Sequence, residues 1–151
     1  MDYTQIIIRL VLCVLIGGMI GYEREVKNMP AGLRTHILVC IGAAVVSMMQ
    51  LHMIQESIEI IKNNPETVNM LKSDFGRMGA QVITGVGFLG AGTILHHKGS
   101  VKGLTTAATI WVTACIGLAI GMGYYTLSIL SGFMVYCVVV TLKKFQNKFI
   151  L

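Results

Sequence analysis

The sequence predicts an all-α fold, an integral membrane bundle of five transmembrane helices built as one domain over residues 1–151. Three observations predict it. Between Lys102 and Lys143 the chain runs 40 residues, Gly103 to Leu142, without a formally charged side chain. At about 1.5 Å per residue this is roughly 60 Å of helix, two crossings of a hydrocarbon core about 30 Å thick. The chain is 54% hydrophobic and 13% charged, where a soluble domain carries about 25% charged residues. The charges that exist fall mainly between apolar blocks.

The first block runs from about Ile6 to Tyr22, and Arg9 within it is expected to snorkel to the near interface. It lacks a basic n-region before it and a small-residue cleavage site after it, so it is expected to stay as a helix. The second block lies between Arg34 and Glu56, the third between Arg77 and Lys98. The uncharged stretch supplies the fourth and fifth, divided at Gly121-Met122-Gly123-Tyr124-Tyr125. Glycines there allow a turn, and tyrosines suit a membrane interface. The connection 55–76 reads as two short amphipathic pieces at the outer interface, with Ile58, Ile61, Val68, Leu71 and Phe75 on an apolar face. Asn64-Pro65-Glu66 is a helix start: a capping Asn, then Pro at the first helical position.

Charge sets the orientation. The loops 23–34 and 96–104 and the tail hold Arg24, Lys27, Arg34, Lys98, Lys102, Lys143, Lys144 and Lys148, eight of twelve basic residues. The positive-inside rule places this side in the cytoplasm and the N-terminus outside. The net charge of +5 is scattered over span ends without a basic stripe, so no nucleic-acid partner is expected. Cys13, Cys40, Cys115 and Cys137 lie inside apolar segments without CxxC spacing and read as small buried apolar residues.

A shift of 71 residues lays Gly21 on Gly92 and Gly32 on Gly103, with Gly32-Leu33-Arg34-Thr35 over Gly103-Leu104-Thr105-Thr106. This suggests a hairpin repeat of spans 1–2 and 3–4 about an axis along the membrane normal. Gly85-Val86-Gly87-Phe88-Leu89-Gly90-Ala91-Gly92 contains a literal G-x-G-x-x-G. A dinucleotide site needs a strand before it and an acid about 20 residues after it. No Asp or Glu follows Asp74, so that reading fails. Close helix packing, shared with Gly17-x-x-x-Gly21, Gly117-x-x-x-Gly121 and Ala119-x-x-x-Gly123, is the expected use; a broken helix is the alternative.

The polar residues near span ends are the candidate site. Glu23, Arg24 and Glu25 follow the first span, and Arg34-Thr35-His36 opens the second. Asp74 and Arg77, three apart at the mouth of the third, share a helical face and can pair. Thr106, Thr109 and Thr113 share a face of the fourth, fit for interhelical hydrogen bonds or a polar cleft. His96-His97 is adjacent, not at the i, i+4 spacing of helical zinc pairs, and reads as interfacial. Mg²⁺ needs oxygen ligands, usually one or two carboxylates with retained waters. The chain offers seven carboxylates, with Glu23 and Glu25 expected inside and Asp74 outside, so no single metal site is assembled. The metal ligands stay unknown and no cofactor is assigned, Mg²⁺ being the one candidate. No nucleophile–base–orienter set exists, and no enzyme is expected.

The stretches GYEREVKNMPAGLRTHILVCIGAA and RMGAQVITGVGFLGAGTILHHKGSVKGLTTAATIWVTACIGLAIGMG resemble the MgtC/SapB family of bacterial membrane proteins over most of Gly17 to Gly123. The G-x-E-R, A-G-L-R-T-H, G-x-G-F-L-G-A-G and G-L-T-T-A-A-x-x-W elements recur in order. The resemblance marks Glu23, Arg24, Gly32, Leu33, Arg34, Thr35, Asp74, Arg77, Gln81, Gly90, Gly92, Gly103, Thr105 and Thr106 as its motif positions. It implies a cytoplasmic-membrane location and a role in adaptation to Mg²⁺ limitation, with virulence through survival inside host phagocytes in some members. Many members carry a cytosolic ACT-like domain after the last span, whereas this sequence stops at Leu151, so that domain's sensing role is not carried over. The expected function is a regulator of other membrane proteins under Mg²⁺ limitation or intracellular stress. The alternative is an oligomeric cation transporter with Glu23, Arg34, Asp74, Arg77 and the glycine run along its path. The lipid bilayer, a second copy in a homo-dimer, and another membrane protein are the expected partners.

Overall fold

The computed structural model describes residues 2–69, 76–97 and 100–142. Its elements are α1 (Tyr3–Val26), α2 (Leu33–Asn63), a 3-10 turn (Pro65–Asn69), α3 (Arg77–Ala91), β1 (Leu95–His97), β2 (Ser100–Lys102), α4 (Leu104–Met122) and α5 (Tyr125–Cys137). A π-helical turn, Val138–Leu142, continues α5. Three helices, α1, α2 and α4, are long and apolar enough to cross a membrane, with mean hydropathies of 2.0, 2.1 and 1.7 in their most apolar windows. They coincide with the first, second and fourth predicted blocks.

α2 and α4 form the centre; α1 and α3 flank them, and α5 closes against α4 and α1. Glycine makes the centre possible. A Cβ on Gly17 would come within 3.0 Å of the His36 carbonyl, and one on Gly21 within 2.8 Å of the Leu33 Cα. From the other side, Gly117 and Gly121 of α4 press on Cys40 and Ala44 of α2. Two G-x-x-x-G stripes therefore grip one helix, whose facing residues Cys40, Ala43, Ala44 and Ser47 are themselves small and buried. Lipid tails are as apolar as Leu, so this close van der Waals contact is what favours helix over lipid as neighbour. One apolar cluster joins Cys13, Ile16 and Ile20 to Cys40, Ala44, Ile116 and Ile120; a second joins Ala43, Val86, Ile110 and Ala114. The Cys13 and Cys40 thiols meet across the α1–α2 contact.

Several elements differ from expectation. Arg9 does not snorkel: it is buried, donating from Nη1 to the Gly121 carbonyl at 2.6 Å and from Nε to the Tyr125 hydroxyl at 3.2 Å. The last carbonyls of α4 form the negative end of its dipole, which favours a cation over open interface. α2 runs 31 residues, about 46 Å, well past the predicted end at Glu56. Its last half contains no Gly or Pro until Pro65, which cannot follow in register. The predicted start at Asn64 exists as a 3-10 turn, Thr67 donating its N–H and its hydroxyl to the Asn64 carbonyl at 3.0 and 2.7 Å.

The third block is cut short. α3 ends at Ala91, where Thr93 turns its N–H and hydroxyl onto the Gly90 carbonyl at 3.0 and 2.8 Å. An antiparallel hairpin follows, pairing Leu95 with Lys102 and His96 with Val101. At 15 residues α3 measures about 22 Å. Its first turn is capped from a neighbour, Gln50 of α2 accepting the Gly79 N–H at 3.1 Å. The break between the last two helices falls where predicted. Gly123 has φ +88°, and the bonds from Gly123 N–H to Ile120 and from Tyr124 N–H to Ala119, both 2.9 Å, form a Schellman cap.

Candidate functional site: a buried polar junction

At one end of the bundle the last turn of α1 meets the first turns of α2 and α4. Gly17, Gly21 and Arg24 lie four and three apart on one face of α1, so the stripe that packs on α2 ends in a guanidinium. Arg24 is only 2% exposed, and its Nη2 donates to Thr106 Oγ1 on α4 at 2.8 Å. On α2, His36 is fully buried with its Nδ1 donating to the Gly32 carbonyl at 2.9 Å, and its Cβ is the atom facing Gly21. Glu23 is 8% exposed and ion-paired through Oε1 with Lys27 one turn on. Glu25 points outward and accepts the Leu33 N–H at 2.7 Å, capping α2 from α1.

The link between α1 and α2 turns through Asn28 and Ala31, both at positive φ (50° and 58°). With Lys27 against Glu23 Oε1, three buried atoms stay without a hydrogen-bond partner among the described residues: Glu23 Oε2, Arg24 Nε and His36 Nε2. All three sit in this junction. Such groups are costly to leave unmet inside a protein.

The predicted residues divide cleanly. Arg24 and Thr106 come together at this junction, with Glu23 in electrostatic reach of Arg24 and Gly17 and Gly21 holding the helices close. Thr35 is half-buried next to His36, while Arg34 and Thr105 are exposed at the rim. Gly103 starts α4 at φ +93°, where a Cβ would collide with the Thr93 carbonyl, so its glycine identity is required. Its counterpart under the 71-residue shift, Gly32, has φ −95°, and the first hairpin carries no strands between its helices.

Other predicted residues lie elsewhere. Arg77 and Gln81 are exposed on the first turns of α3. That end of α3 is anchored at Gln50, 14 residues or about 21 Å along α2 from His36. Asp74, and with it the Asp74–Arg77 pair, lies outside the described residues. Gly90 packs on Ala107 of α4, and Gly92 meets only carbonyls of its own helix end. Gly85 and Gly87 have nothing within 4 Å and do not pack within the bundle. Thr109 and Thr113 return their hydroxyls to the Thr106 and Thr109 carbonyls at 2.9 and 2.7 Å, so the threonine face forms no open polar cleft. Thr106 alone of the three makes an interhelical bond among the described residues, with Arg24, and Ser47 supplies another, to the Leu118 carbonyl at 2.7 Å.

His36 closes the A-G-L-R-T-H element yet is not among the motif positions that the resemblance marks. Its signal is positional: it opens the stripe Cys40, Ala43, Ser47 along the buried face of α2. Among the described residues, no three His, Cys, Asp or Glu side chains gather where they could hold one metal ion.

Apolar helices carrying a polar junction at one end define a helical membrane protein. The chain belongs to the MgtC family, whose profile it matches over residues 10–148. It is 41% identical over 131 residues to YhiD of Escherichia coli (strain K12), a protein named provisionally as a magnesium transporter; the match covers 87% of this chain and 57% of that one. Protein MgtC of Salmonella typhimurium (strain 14028s / SGSC 2262) is 36% identical over 138 residues, 91% of this chain and 52% of its own length. An uncharacterized protein of Haemophilus influenzae is 37% identical over 124 residues, covering 82% and 49%. The chain spans about half the length of the curated relatives it matches. No solved structure matches it.

Proposed function

We propose that this chain is a cytoplasmic-membrane protein that acts on other membrane proteins during adaptation to Mg²⁺ limitation or intracellular stress, working as a homo-oligomer, with a dimer as its simplest form. One observation carries the reading. Several polar side chains inside the bundle are met by partners on neighbouring helices (Arg24 by the Thr106 hydroxyl, Ser47 by the Leu118 carbonyl, Gln50 by the Gly79 N–H), while the outer face is broad and apolar. Phe88, Leu130, Phe133 and Met134 are exposed there, and an apolar groove of about 450 Å³ runs between α4 and α5. Such a surface suits helix-to-helix contact in the bilayer. The open Gly85 and Gly87 on α3 support a second copy or a partner helix at close range. Five crossings, with the N-terminus outside, fit this reading. α3 and the α5–π-turn segment, at about 22 and 27 Å, cross a locally thinned bilayer.

A strain lacking the gene, complemented with the full-length protein, tests this by growth at limiting and at ample Mg²⁺. Growth is expected to be restored by wild type at limiting Mg²⁺ and not by Arg24→Gln. Equal growth with and without the gene would reject the role. The second reading is an oligomeric cation transporter, in line with the name of the E. coli relative. What favours it is the trio of buried, unmet atoms on Glu23, Arg24 and His36.

A further inference from the structure

We propose that the junction binds an oxyanion, the phosphate of a lipid headgroup or free orthophosphate, between Arg24 and the first turn of α4. Arg24 is a buried cation whose charge no proton loss can remove at any physiological pH. Among the described residues its side chain makes one hydrogen bond, to a neutral hydroxyl, its Nε is unmet, and neither the Lys27–Glu23 nor the His52–Glu56 ion pair includes it. A buried charge in that state calls for a counter-charge. Glu23, its sequence neighbour about 100° around the helix, attracts the guanidinium electrostatically but forms no ion pair or hydrogen bond with it and is itself paired with Lys27.

Where Arg24 points supplies the rest. Thr106 is the third residue of α4, whose N-cap Gly103 offers no side-chain cap. The N–H groups of Leu104, Thr105 and Thr106 stand outside the intrahelical ladder, at the positive end of the dipole. A helix start of that kind takes phosphate readily. α2 differs, because Glu25 already occupies its first turn. Leu104 and Thr105 are exposed, leaving the α4 start open from the interface, and Lys102 and Arg34 are exposed at the same end. Arg24 carries this on its own, whichever partner or ion the protein serves.

The test uses the full-length protein in mild detergent. In one arm orthophosphate is titrated against chloride at constant ionic strength, following the thermal unfolding midpoint. In the other, short-chain phosphatidylglycerol is compared with phosphatidylcholine of the same chain length, counting bound lipid by native mass spectrometry. Saturable binding is expected in one arm, naming the source, and weakened at least about tenfold by Arg24→Gln. Thr106→Val, which keeps the guanidinium but removes the group that aims it, should weaken binding at least about threefold. Absence of saturable binding in both arms overturns the site, as does unchanged affinity in Arg24→Gln. If Arg24→Gln does not fold, unchanged affinity in Thr106→Val overturns it alone.

Discussion

Gly121 shows how one missing Cβ decides a membrane fold. It lies against Ala44 and Ser47 of α2, and a side chain there must push two central helices apart. Gly121→Val is expected to lose about 2–3 kcal/mol of stability, read by unfolding in mixed micelles. Gly85→Ala, with open space around it, should be neutral or gain up to about 1 kcal/mol from helix propensity. A large loss at Gly85 in a monomer would contradict the geometry. Gly17, Gly21 and Gly121 were readable from their four-residue spacing, because close helix packing leaves that mark in sequence. Arg9 was not. The groups that keep it buried, Gly121 and Tyr125, lie more than a hundred residues away, and no local pattern announces them.

At the scale of elements, the ends are where reading and structure part. α1 and the α4–α5 break were legible, since an apolar run between charges and a Gly-x-Gly pair carry their own signals. The overrun of α2 was not: a helix exceeding the bilayer looks, residue by residue, like an interfacial piece. The β1–β2 hairpin has three residues a side, too few for alternation to declare a strand. Its junction with α4 depends on Gly103. Gly103→Ala combines a left-handed φ with a collision on the Thr93 carbonyl, and is expected to cost about 2 kcal/mol or more. Gly123→Ala, also left-handed but facing only the tip of the Arg9 side chain, should cost about 1–2 kcal/mol. Equal effects at both positions would show that the hairpin does not fix the start of α4.

At the scale of the molecule, the polar junction and the apolar exterior separate two tasks. The junction was half legible: Glu23, Arg24 and Thr106 stood out as charged or hydroxyl groups at span ends, while Arg77 and Gln81 share the motif without sharing the place. Sequence shows which residues are costly in a membrane, not which helix end they will meet. Orientation is testable with single cysteines in a cysteine-free background. Glu66→Cys is expected to react with an impermeant maleimide in intact cells, and Ser100→Cys only after the membrane is opened. The reverse pattern would invert the topology.

On the proposed function the buried polar groups brace this bundle and bind within it, and do not conduct. Mg²⁺ entry into proteoliposomes, followed with an internal dye, tests it most directly. The expected result is no saturable flux above protein-free vesicles. Robust, saturable flux abolished by Glu23→Gln would contradict it.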